Sequence, residues 1–414
     1  MKKMGFLRDI ADEIVPDMGI YKHVDAMLDR INSRIRKLKV RAKAVAGGSI
    51  AKNNFIRHDH DIDLFVKFDK KYKSEELSDY LAKILSGMRA ERIHGSRDYF
   101  RIRNGHNFEI VPVMDIRKGP ESQNVTDMSP LHVNWVNAIT RKNPKLLSEI
   151  RLTKQFCKAQ GVYGAESYIR GFSGHVIDII TLHYGGFLPL ARNASKWKPG
   201  QVVDYHNVYK GKARQVLNES KLGPLIVIDP IMPERNASAA LSEEKFQGFI
   251  SACDRFLGNP SKQFFQIAKV TPETLRMKHK GKKVFCFSIS LVDGKEDVVG
   301  ARLARGVEFM SRQAEKYGFK LAASGFAYDR KTSGMAYFVM NNDALPSKMV
   351  LQGPPLASRE HVARFKKVHR KTYVKGKSIY AIENRKMTKF SDYALFIARD
   401  KFFKDKIKKF QLAK

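Results

Sequence analysis

Residues 46–66 read AGGSIAKNNFIRHDHDIDLFV, and their most informative feature is a pair of aspartates, Asp61 and Asp63. The apolar alternation of the segment predicts a strand, in which residues two apart project from one face, about 6.6 Å apart along it. Ile62 and Leu64 then take the opposite face and anchor the strand to a core. Two ionised carboxylates this close repel each other unless a cation lies between them. Because Mg²⁺ takes one or two carboxylates together with substrate phosphates, the spacing suits a metal–nucleotide site.

A glycine-rich turn, Gly47-Gly48-Ser49, precedes the aspartates in the same stretch. Glycines let a backbone approach phosphate closely, and the N–H groups at the start of a following helix attract anions. We expect Lys52 to lie within that first turn. Alone, a Gly-Gly-Ser is usually a turn and an Asp-x-Asp is usually a solvated strand edge. Together, in a strongly basic chain, they indicate a site for a metal-bound nucleotide.

A third carboxylate is predicted on a β-hairpin. Residues 99–111 read YFRIRNGHNFEIV, and Asn-Gly between two alternating runs is the strongest short hairpin signal. Phe108 and Ile110 face the core, so Glu109 points to the other side. A strand that places Glu109 beside the aspartate pair would complete the set that a metal-activated attack requires. The alternative, a solvent-facing glutamate, stays open on the pattern alone.

Composition restricts the class of protein. The 414 residues are enough for about two to four domains, and a hydrophobic share of 43% excludes wholesale disorder. The 76 Lys and Arg against 42 Asp and Glu give a net charge of +34, which favours a polyanionic partner. RNA, DNA and an anionic membrane surface all stay open. No apolar run is long enough for a spanning helix.

The N-terminus and the cysteines bear on the compartment. Charged residues interrupt the opening MKKMGFLRDIADEIV, so we do not interpret it as a signal peptide. Cys157, Cys253 and Cys286 are far apart and odd in number. This excludes a disulfide scaffold and a cysteine zinc site, and it fits a reducing compartment. We therefore predict a cytoplasmic protein.

The pattern of apolar residues changes along the chain and predicts three regions. Residues 1–130 read as α/β and open with a helix over 10–39. Residues 131–258 turn helical, and the last helix there is predicted to follow Pro233. Residues 259–414 alternate strand-like runs with helix.

Positive charge is concentrated near the carboxyl end. Residues 361–414 hold 17 Lys and Arg against 4 acids, a higher density of charge than in the chain as a whole. Contacts from such a segment to nucleic acid are largely to the backbone and are sensitive to salt. We interpret the segment as a docking surface for a polyanion, which the charge alone does not identify as RNA, DNA or a membrane.

Several of these motifs resemble a known group of enzymes. Gly-Gly-Ser, Asp-x-Asp and a later strand carboxylate resemble the signature of the polymerase-β-like nucleotidyltransferases. Three further blocks resemble the archaeal (class I) CCA-adding enzymes: RLTKQFCKAQGVYGAESYIRGFSG at 151–174, VIDPIMPERNASAA at 227–240, and Gly353-Pro354-Pro355. The resemblance covers essentially the whole chain in order.

The resemblance implies an α+β multidomain fold and an activity. The fold has a polymerase-β-like nucleotidyltransferase palm (the head) at 1–130, a helical neck at 131–258, and an α+β body at 259–414 with a tail inserted at about 295–352. The activity is template-independent addition of C, C and A to the 3′ end of tRNA from CTP and ATP, with release of pyrophosphate. The implied partners are tRNA, CTP and ATP, and a homodimer stays open.

The resemblance also implies roles for single residues. Asp61, Asp63 and Glu109 match the ligands of two catalytic Mg²⁺ ions. Six other positions match residues that bind the nucleotide, five of them at its phosphates and ribose and the last at its base: Ser49, Lys52, His132, Lys154, Tyr163 and Arg235.

Structural alternatives stay open for four of these nucleotide-binding positions. His132 and Tyr163 would each be common in a core, and Arg235 could cap a helix. Lys154 shares a helix face with apolar residues, so it is either buried or snorkels to solvent.

The chain departs from the family at three places. Glu109 stands where the family usually has Asp, which adds one methylene of reach. Lys52 stands where Arg is common, which keeps the charge and loses the bidentate fork. The loop His58-Asp59-His60 is unusual beside the aspartate pair, and the sequence offers no physical account of it.

Two rival functions stay open. A poly(A) polymerase or an oligoadenylate synthetase would use the same palm, and only the more specific blocks favour CCA addition. A non-catalytic RNA-binding protein would explain the basic carboxyl segment. The three carboxylates argue against it, because acids are a liability in an RNA groove unless metals neutralise them.

Overall fold

The chain divides into two units, Met1–Ile267 (unit 1) and Ala268–Lys414 (unit 2). The structure, a computed structural model, describes residues 4–57 and 61–413, so the His58-Asp59-His60 loop lies outside the described residues. Within those described ranges, no helix combines the length and the hydropathy that crossing a bilayer requires.

Unit 1 contains a five-stranded sheet that carries the aspartate pair. Its strands are β1 (Ala42–Ala46), β2 (Ile62–Phe68), β3 (Glu91–Ile93), β4 (Tyr99–Asn104) and β5 (His106–Met114). They lie in the order β1-β2-β5-β4-β3, with β2 and β5 parallel and the other neighbours antiparallel. The accompanying helices are α1 (Phe6–Glu13), α2 (Ile20–Lys37), α3 (Gly48–Ala51) and α4 (Leu77–Leu85). Side chains from α2, α4 and the sheet form one buried core.

Two local predictions for this region have different outcomes. The hairpin is confirmed: Asn104 pairs with His106, and Gly105 between them has a φ of +67°, which glycine adopts without steric cost. The single helix predicted over 10–39 is wrong, because the chain leaves the helix after Glu13 and re-enters it at Ile20. The break contains Pro16, which cannot donate a backbone hydrogen bond.

The remainder of unit 1 is mostly helical. Its elements are α5 (Ser129–Lys142), α6 (Lys145–Ala159), α7 (Gly174–Tyr184), α8 (Phe187–Ala194), β6 (Gln201–Val203), α9 (Ala213–Val216), β7 (Leu225–Val227) and α10 (Glu243–Gly258). β6 and β7 form a small parallel pair. Phenylalanines from α6, α8 and α10 pack against one another in a second core: Phe156, Phe187, Phe249 and Phe256.

The helix predicted directly after Pro233 begins later than expected, at Glu243, where the Ser242 side chain accepts a hydrogen bond from the backbone of the first turn. Residues 233–242 form turns instead. The cause is Asn236, whose side chain accepts from the Val227 N–H at 3.0 Å and donates to a backbone carbonyl at 2.9 Å. These hydrogen bonds hold the segment against β7 and prevent a helix from forming there.

Unit 2 is built on a βαββαβ motif. Its elements are α11 (Pro272–Lys278), β8 (Lys283–Leu291), α12 (Glu296–Tyr317), β9 (Leu321–Tyr328), β10 (Ser333–Met340), β11 (Lys348–Pro355), α13 (Arg359–Val368), β12 (Thr372–Lys375), β13 (Ser378–Asn384), α14 (Phe390–Ile397), α15 (Lys401–Lys404) and β14 (Ile407–Leu412). The main sheet has the order β14-β8-β10-β9 with antiparallel neighbours, which is the ferredoxin-like arrangement. Between β10 and α14 the chain leaves this sheet and forms a second one, in the order β11-β13-β12, together with α13.

Candidate active site

The three predicted carboxylates lie on one face of two adjacent strands of unit 1. Asp63 on β2 is directly opposite Glu109 on the parallel strand β5, and Asp61 immediately precedes β2. Ile62 and Leu64 occupy the other face of β2 and are almost fully buried. The alternation in the sequence, together with the parallel pairing of β2 and β5, brings Glu109 beside the aspartate pair.

The electrostatics of this face favour a bound cation. Burial, followed by the charges of Glu109 and Asp61, raises the pKa of Asp63 to about 7, and Lys52 opposes the shift only in part. The positive charge near Asp63 is therefore too small to offset burial and the neighbouring acids, and a divalent cation would supply the missing charge. The cluster fits Mg²⁺ both by its oxygen ligands and by its charge.

Two neighbouring side chains hold the carboxylates in place. Asn107 donates from Nδ2 to Oδ1 of Asp61 at 2.7 Å, and Arg101 donates from Nη2 to Oε1 of Glu109 at 2.7 Å. Arg101 is the cross-strand partner of Glu109 in the hairpin, and Asn107 lies two residues before Glu109 on the same strand. Both therefore share the face of Glu109. The sequence analysis missed them, although the alternation that assigned Glu109 to this face also assigns these two.

The glycine turn contacts the same carboxylates. Gly47 donates its N–H to the backbone carbonyl of Asp63 at 2.8 Å. Gly48 has a φ of +50°, and a Cβ at this position would collide with the Asp63 carboxylate. Only glycine allows the turn to come this close. Ser49 follows in the short helix α3 and is half-buried.

Lys52 and Lys154 share one buried carboxylate, Asp178 on α7. Lys52 donates from Nζ to Oδ2 of Asp178 at 2.8 Å, and Nζ of Lys154 lies 3.5 Å from Oδ1. Asn54 completes the group, because its amide donates to Asp178 at 3.0 Å and its side-chain oxygen accepts from Lys154 at 2.7 Å. The two lysines that the resemblance assigns to the nucleotide are thus held together by an acid that the sequence analysis did not single out.

Burial and the charges of neighbouring side chains together set the pKa values of Lys154 and Asp178. It lowers the pKa of Lys154 to about 8, and the attraction of Asp178 limits the fall. Burial alone would raise the pKa of Asp178, but Lys154 and Lys52 bring it below its ordinary value. Lys154 does not snorkel, since it is only 4% exposed. In the sequence, Asp178 stands out as a single acid within an otherwise apolar helix. An acid that is buried in this way requires a partner.

A second buried acid, Asp229, joins His132 and Arg235. Nε2 of His132 lies 3.0 and 3.1 Å from the two oxygens of Asp229, and Arg235 donates from Nη1 to Oδ2 at 2.7 Å. The ring of His175 stacks on that of His132 with centroids 3.8 Å apart, and burial lowers the pKa of His175 to about 4. Burial alone would raise the pKa of Asp229, but the two imidazoles hold it well below its usual range.

His132, His175 and Asp229 are also residue types that bind transition metals, and their ligand atoms lie within 4.8 Å of one another. The guanidinium of Arg235 already places a positive charge on the Asp229 carboxylate. A cation bound to the same oxygens would be repelled by it. On the carboxylate face of β2 and β5, Arg101 is paired with Glu109, but the pKa of Asp63 is still raised to about 7. This face therefore keeps a carboxylate whose charge is not compensated, and it is the better metal site.

Arg235 lines a cleft of about 660 Å³ within unit 1. The other walls include the apolar Met232 and the polar Ser173 and Asn124. Clefts of this size that combine apolar walls with a few polar groups suit a small ligand. Tyr163 lies outside the lining: its backbone bridges to that of Phe172, and the ammonium of Lys158 lies 4.5 Å from the centre of its ring.

Three protein families match successive parts of the chain. The nucleotidyltransferase domain family matches residues 28–118, the second domain of tRNA nucleotidyltransferase matches 148–266, and the C-terminal domain of the CCA-adding enzyme matches 280–402. The first match contains the aspartate pair and Glu109, and the second contains Lys154, Asp178 and Asp229. The candidate site is thus assembled from two of the three matched regions.

Similar proteins span nearly the whole chain. The CCA-adding enzyme of Nanoarchaeum equitans is 30% identical over 383 residues, which cover 90% of this chain and 92% of that protein. The CCA-adding enzyme of Thermococcus gammatolerans is 30% identical over 405 residues, which cover 92% of this chain and 86% of that protein.

Solved structures support the fold. A cytoplasmic RNA terminal U-transferase aligns with a TM-score of 0.52 at 14% identity and covers 65% of this chain and 99% of its own. The Cid1 poly(U) polymerase aligns with a TM-score of 0.51 at 16% identity over 64% of this chain. These likenesses show a nucleotidyltransferase fold and no more. The identity to the two archaeal proteins over most of their length goes further, and it shows that this chain belongs to the family of the CCA-adding enzymes.

Proposed function

We propose that this chain adds C, C and A to the 3′ end of tRNA from CTP and ATP, without a nucleic-acid template and with release of pyrophosphate. The observation that carries the proposal is the cluster of Asp61, Asp63 and Glu109 on one face of β2 and β5, in a chain of this family. A purely RNA-binding protein would have no use for three acids on a strongly basic chain.

The carboxylates are proposed to hold two Mg²⁺ ions. Bound there, the ions would neutralise charge at the α-phosphate and lower the pKa of the attacking 3′-hydroxyl. Asn107 orients Asp61 by the hydrogen bond at 2.7 Å, and Arg101 restrains Glu109 in the same way. Restraint of Glu109 limits the additional freedom that its extra methylene provides compared with aspartate.

The nucleotide is proposed to be bound by residues from both halves of unit 1. Lys52 and Lys154 would bind phosphates, and the Asp178 carboxylate holds both ammonium groups in place. Ser49, His132 and Tyr163 would complete the contacts to phosphates and ribose. These assignments combine the family resemblance with the buried ion pairs described above.

Arg235 is proposed to read the base. Its guanidinium offers donors and no acceptor, so it can address O2 and N3 of cytosine or N1 of adenine. The amino groups of both bases need an acceptor from elsewhere, such as a backbone phosphate of the bound tRNA. The selectivity for CTP and ATP over UTP and GTP should then be poor when no RNA is bound. Asp229 fixes the guanidinium from one side by the hydrogen bond at 2.7 Å.

We also propose a functional division of the chain: a head at 1–130, a helical neck at 131–258 and an RNA-binding body at 259–414. A tail at about 295–352 stays a prediction, and so do a cytoplasmic location and a homodimer. The excursion from the main sheet of unit 2 covers β11 to β13, residues 348–384.

One assay tests the activity directly. A tRNA that lacks its 3′ CCA is incubated with the protein, labelled CTP, ATP and Mg²⁺, and the products are resolved at single-nucleotide length. Addition of three nucleotides in the order C, C, A is expected. A long homopolymer tail would instead indicate a poly(A) or poly(U) polymerase. If no nucleotide is incorporated, the remaining hypothesis is a non-catalytic RNA-binding protein.

An Arg235→Ala variant should incorporate less CTP and ATP than the wild type. Its preference for these two nucleotides over UTP and GTP should also be smaller. The physical reason is loss of the donors that face the base, worth about 1–3 kcal/mol by analogy with base readout in DNA. Relative incorporation of all four nucleotides measures the effect. Arg192→Ala, an exposed arginine on α8 outside the cleft, is the matched control. Intact selectivity with a lowered melting temperature would show that Arg235 is only a structural ion-pair partner.

An Asn107→Ala variant should need about tenfold more Mg²⁺ for half-maximal transfer, because removing a residue that orients a metal ligand typically weakens a site by this order. The rate at saturating Mg²⁺ should return close to that of the wild type. A titration of transfer rate against Mg²⁺ concentration checks this. Asn193→Ala, at an exposed position on α8, is the control and should leave the Mg²⁺ requirement unchanged.

A further inference from the structure

The group of His132, His175 and Asp229 differs from the carboxylate face in its ligand chemistry. His132 lies on α5, His175 on α7 and Asp229 two residues after β7, and their ligand atoms lie within 4.8 Å of one another. The carboxylate face offers only oxygen ligands, which suit Mg²⁺. Two imidazoles and one carboxylate suit Zn²⁺ instead. The two groups therefore favour different metals, and a second site does not compete with the assignment of Mg²⁺.

His175 is the member of this group whose surroundings do not explain it. Its side chain is only 16% exposed, and neither ring nitrogen has a hydrogen-bond partner within the described ranges 4–57 and 61–413. Leaving a buried polar group unpaired costs about 1–3 kcal/mol, so such a group in a folded protein calls for a ligand. Because burial lowers the pKa of His175 to about 4, its imidazole is neutral at pH 7 and offers a nitrogen lone pair to a metal.

The distances within the group fit a tetrahedral ion. Zinc bonds of about 2.0–2.2 Å place neighbouring ligand atoms roughly 3.3 Å apart. Nε2 of His132 lies 3.0 and 3.1 Å from the two oxygens of Asp229, and Nε2 of His175 lies 3.8 Å from Oδ2. The stacked rings, tilted by 30°, set the two imidazoles side by side. Small side-chain shifts would therefore bring all three residues within bonding distance of one ion, with a fourth position left for solvent.

Arg235 and a metal would compete for the same carboxylate. Nη1 of Arg235 donates to Oδ2 of Asp229 at 2.7 Å, so a cation is repelled as long as the guanidinium stays there. The Arg235 side chain is 36% exposed and lines the cleft, so it can withdraw without disturbing the core. The Asp229 carboxylate can then serve either the guanidinium or a metal, but not both.

We propose that His132, His175 and Asp229 form an inhibitory Zn²⁺ site, which fills when Arg235 withdraws from Asp229 into the cleft. Zinc would take the carboxylate that fixes the base-reading guanidinium, and it would also occupy His132. Both effects oppose the binding of CTP and ATP. The binding of zinc rests on the geometry alone, whereas the inhibition rests on the proposed function.

The first test measures zinc affinity by calorimetry in excess Mg²⁺, with Co²⁺ as a spectroscopic substitute. His175→Phe removes the ligand nitrogens and keeps an aromatic ring against His132. It should bind zinc at least tenfold more weakly, since loss of a residue that only orients a metal ligand already costs about 10–100-fold. The visible bands of tetrahedral Co²⁺ should disappear with it. His183→Phe, at an exposed position on the same helix, is the matched control. Equal zinc affinity in His175→Phe and the wild type would overturn the proposal.

The second test removes the competing charge. Arg235→Ala should bind zinc about fivefold more tightly or better, because an ion pair no longer has to be broken. Arg192→Ala on α8 is the control. Unchanged or weaker affinity in Arg235→Ala would contradict the proposal, and this comparison decides if melting temperatures show that His175→Phe does not fold. Asp63→Asn should keep its zinc affinity. Loss of zinc from Asp63→Asn would place the ion on the carboxylate face instead.

The transfer assay tests the inhibition and separates it from the proposed function. Zinc should slow incorporation of CTP by the wild type, added CTP should relieve the effect, and His175→Phe should need at least tenfold more zinc. If zinc binds through His175 without slowing transfer, the inhibitory role is wrong. If the wild type adds CCA but does not bind zinc through His175, the whole inference is wrong and the proposed function stands. If the wild type binds zinc through His175 but adds nothing to tRNA, the proposed function is wrong and the zinc site stands.

Discussion

An Asp63→Asn variant should lose nucleotidyl transfer by a factor of at least 10²–10³, on the order of the loss that follows removal of one group that stabilises charge in a transition state. Asp63 lies at the centre of the carboxylate face, opposite Glu109 and two residues from Asp61. Asparagine keeps the shape of the side chain and removes the charge that a cation needs. Single-turnover incorporation of CTP into tRNA lacking CCA measures the loss.

Binding of tRNA should survive the same substitution. The acid faces other acids, so its removal does not weaken the attraction of the protein for phosphate. Asp61→Asn should behave alike, and Asp25→Asn, at an exposed position on α2, serves as the control for loss of one negative charge. Incorporation within tenfold of the wild type by either active-site variant would remove the basis for the metal assignment.

An Asp178→Asn variant should lose about 3–5 kcal/mol of unfolding free energy, the usual cost of removing one partner from a buried ion pair. The substitution leaves Lys52 and Lys154 without their shared carboxylate in a buried environment. Urea unfolding at neutral pH measures the change. Thr181→Val, one turn further along α7, is the control. It removes a buried hydroxyl that has no hydrogen-bond partner among the described residues, so it should change stability by less than about 1 kcal/mol.

The loss of unfolding free energy in the Asp178→Asn variant should depend on pH. The folded wild type releases the Lys154 proton near pH 8, whereas the unfolded chain keeps it to about 10.5, so stability rises with pH in this window. Without Asp178, the folded state gains even more from releasing that proton. The difference between variant and wild type should therefore be smaller at pH 9 than at pH 7. A difference that does not change with pH would show that the lysine is not the group left uncompensated.

The carboxylate face of β2 and β5 was predictable because it depends on local pattern. A period of two fixes which side of β2 carries Asp61 and Asp63, and the Asn-Gly turn fixes which side of β5 carries Glu109. No other information is needed to bring the three together once β2 and β5 pair. Arg101 and Asn107 were equally accessible to this reasoning.

The buried acids were not predictable in this way. Asp178 reaches Lys52 across 126 residues of sequence, and Asp229 reaches His132 across 97. Pattern indicates that a charged residue in an apolar helix must have a partner, but it does not identify that partner. The late start of α10 was also not predictable from the pattern, since it depends on side-chain hydrogen bonds of Asn236 to backbone groups 9 and 15 residues earlier.

The sheet order of unit 2 has a consequence for synthesis of the protein. Its first strand, β8, has β14 as a neighbour, so the sheet cannot be completed before residue 412 has left the ribosome. The five-stranded sheet of unit 1 needs no residue beyond Met114. We therefore expect unit 1 to fold on the ribosome. Unit 2 stays incompletely folded, with exposed strand edges, until its last strand has been synthesised. In cells short of chaperones, aggregation should begin from unit 2.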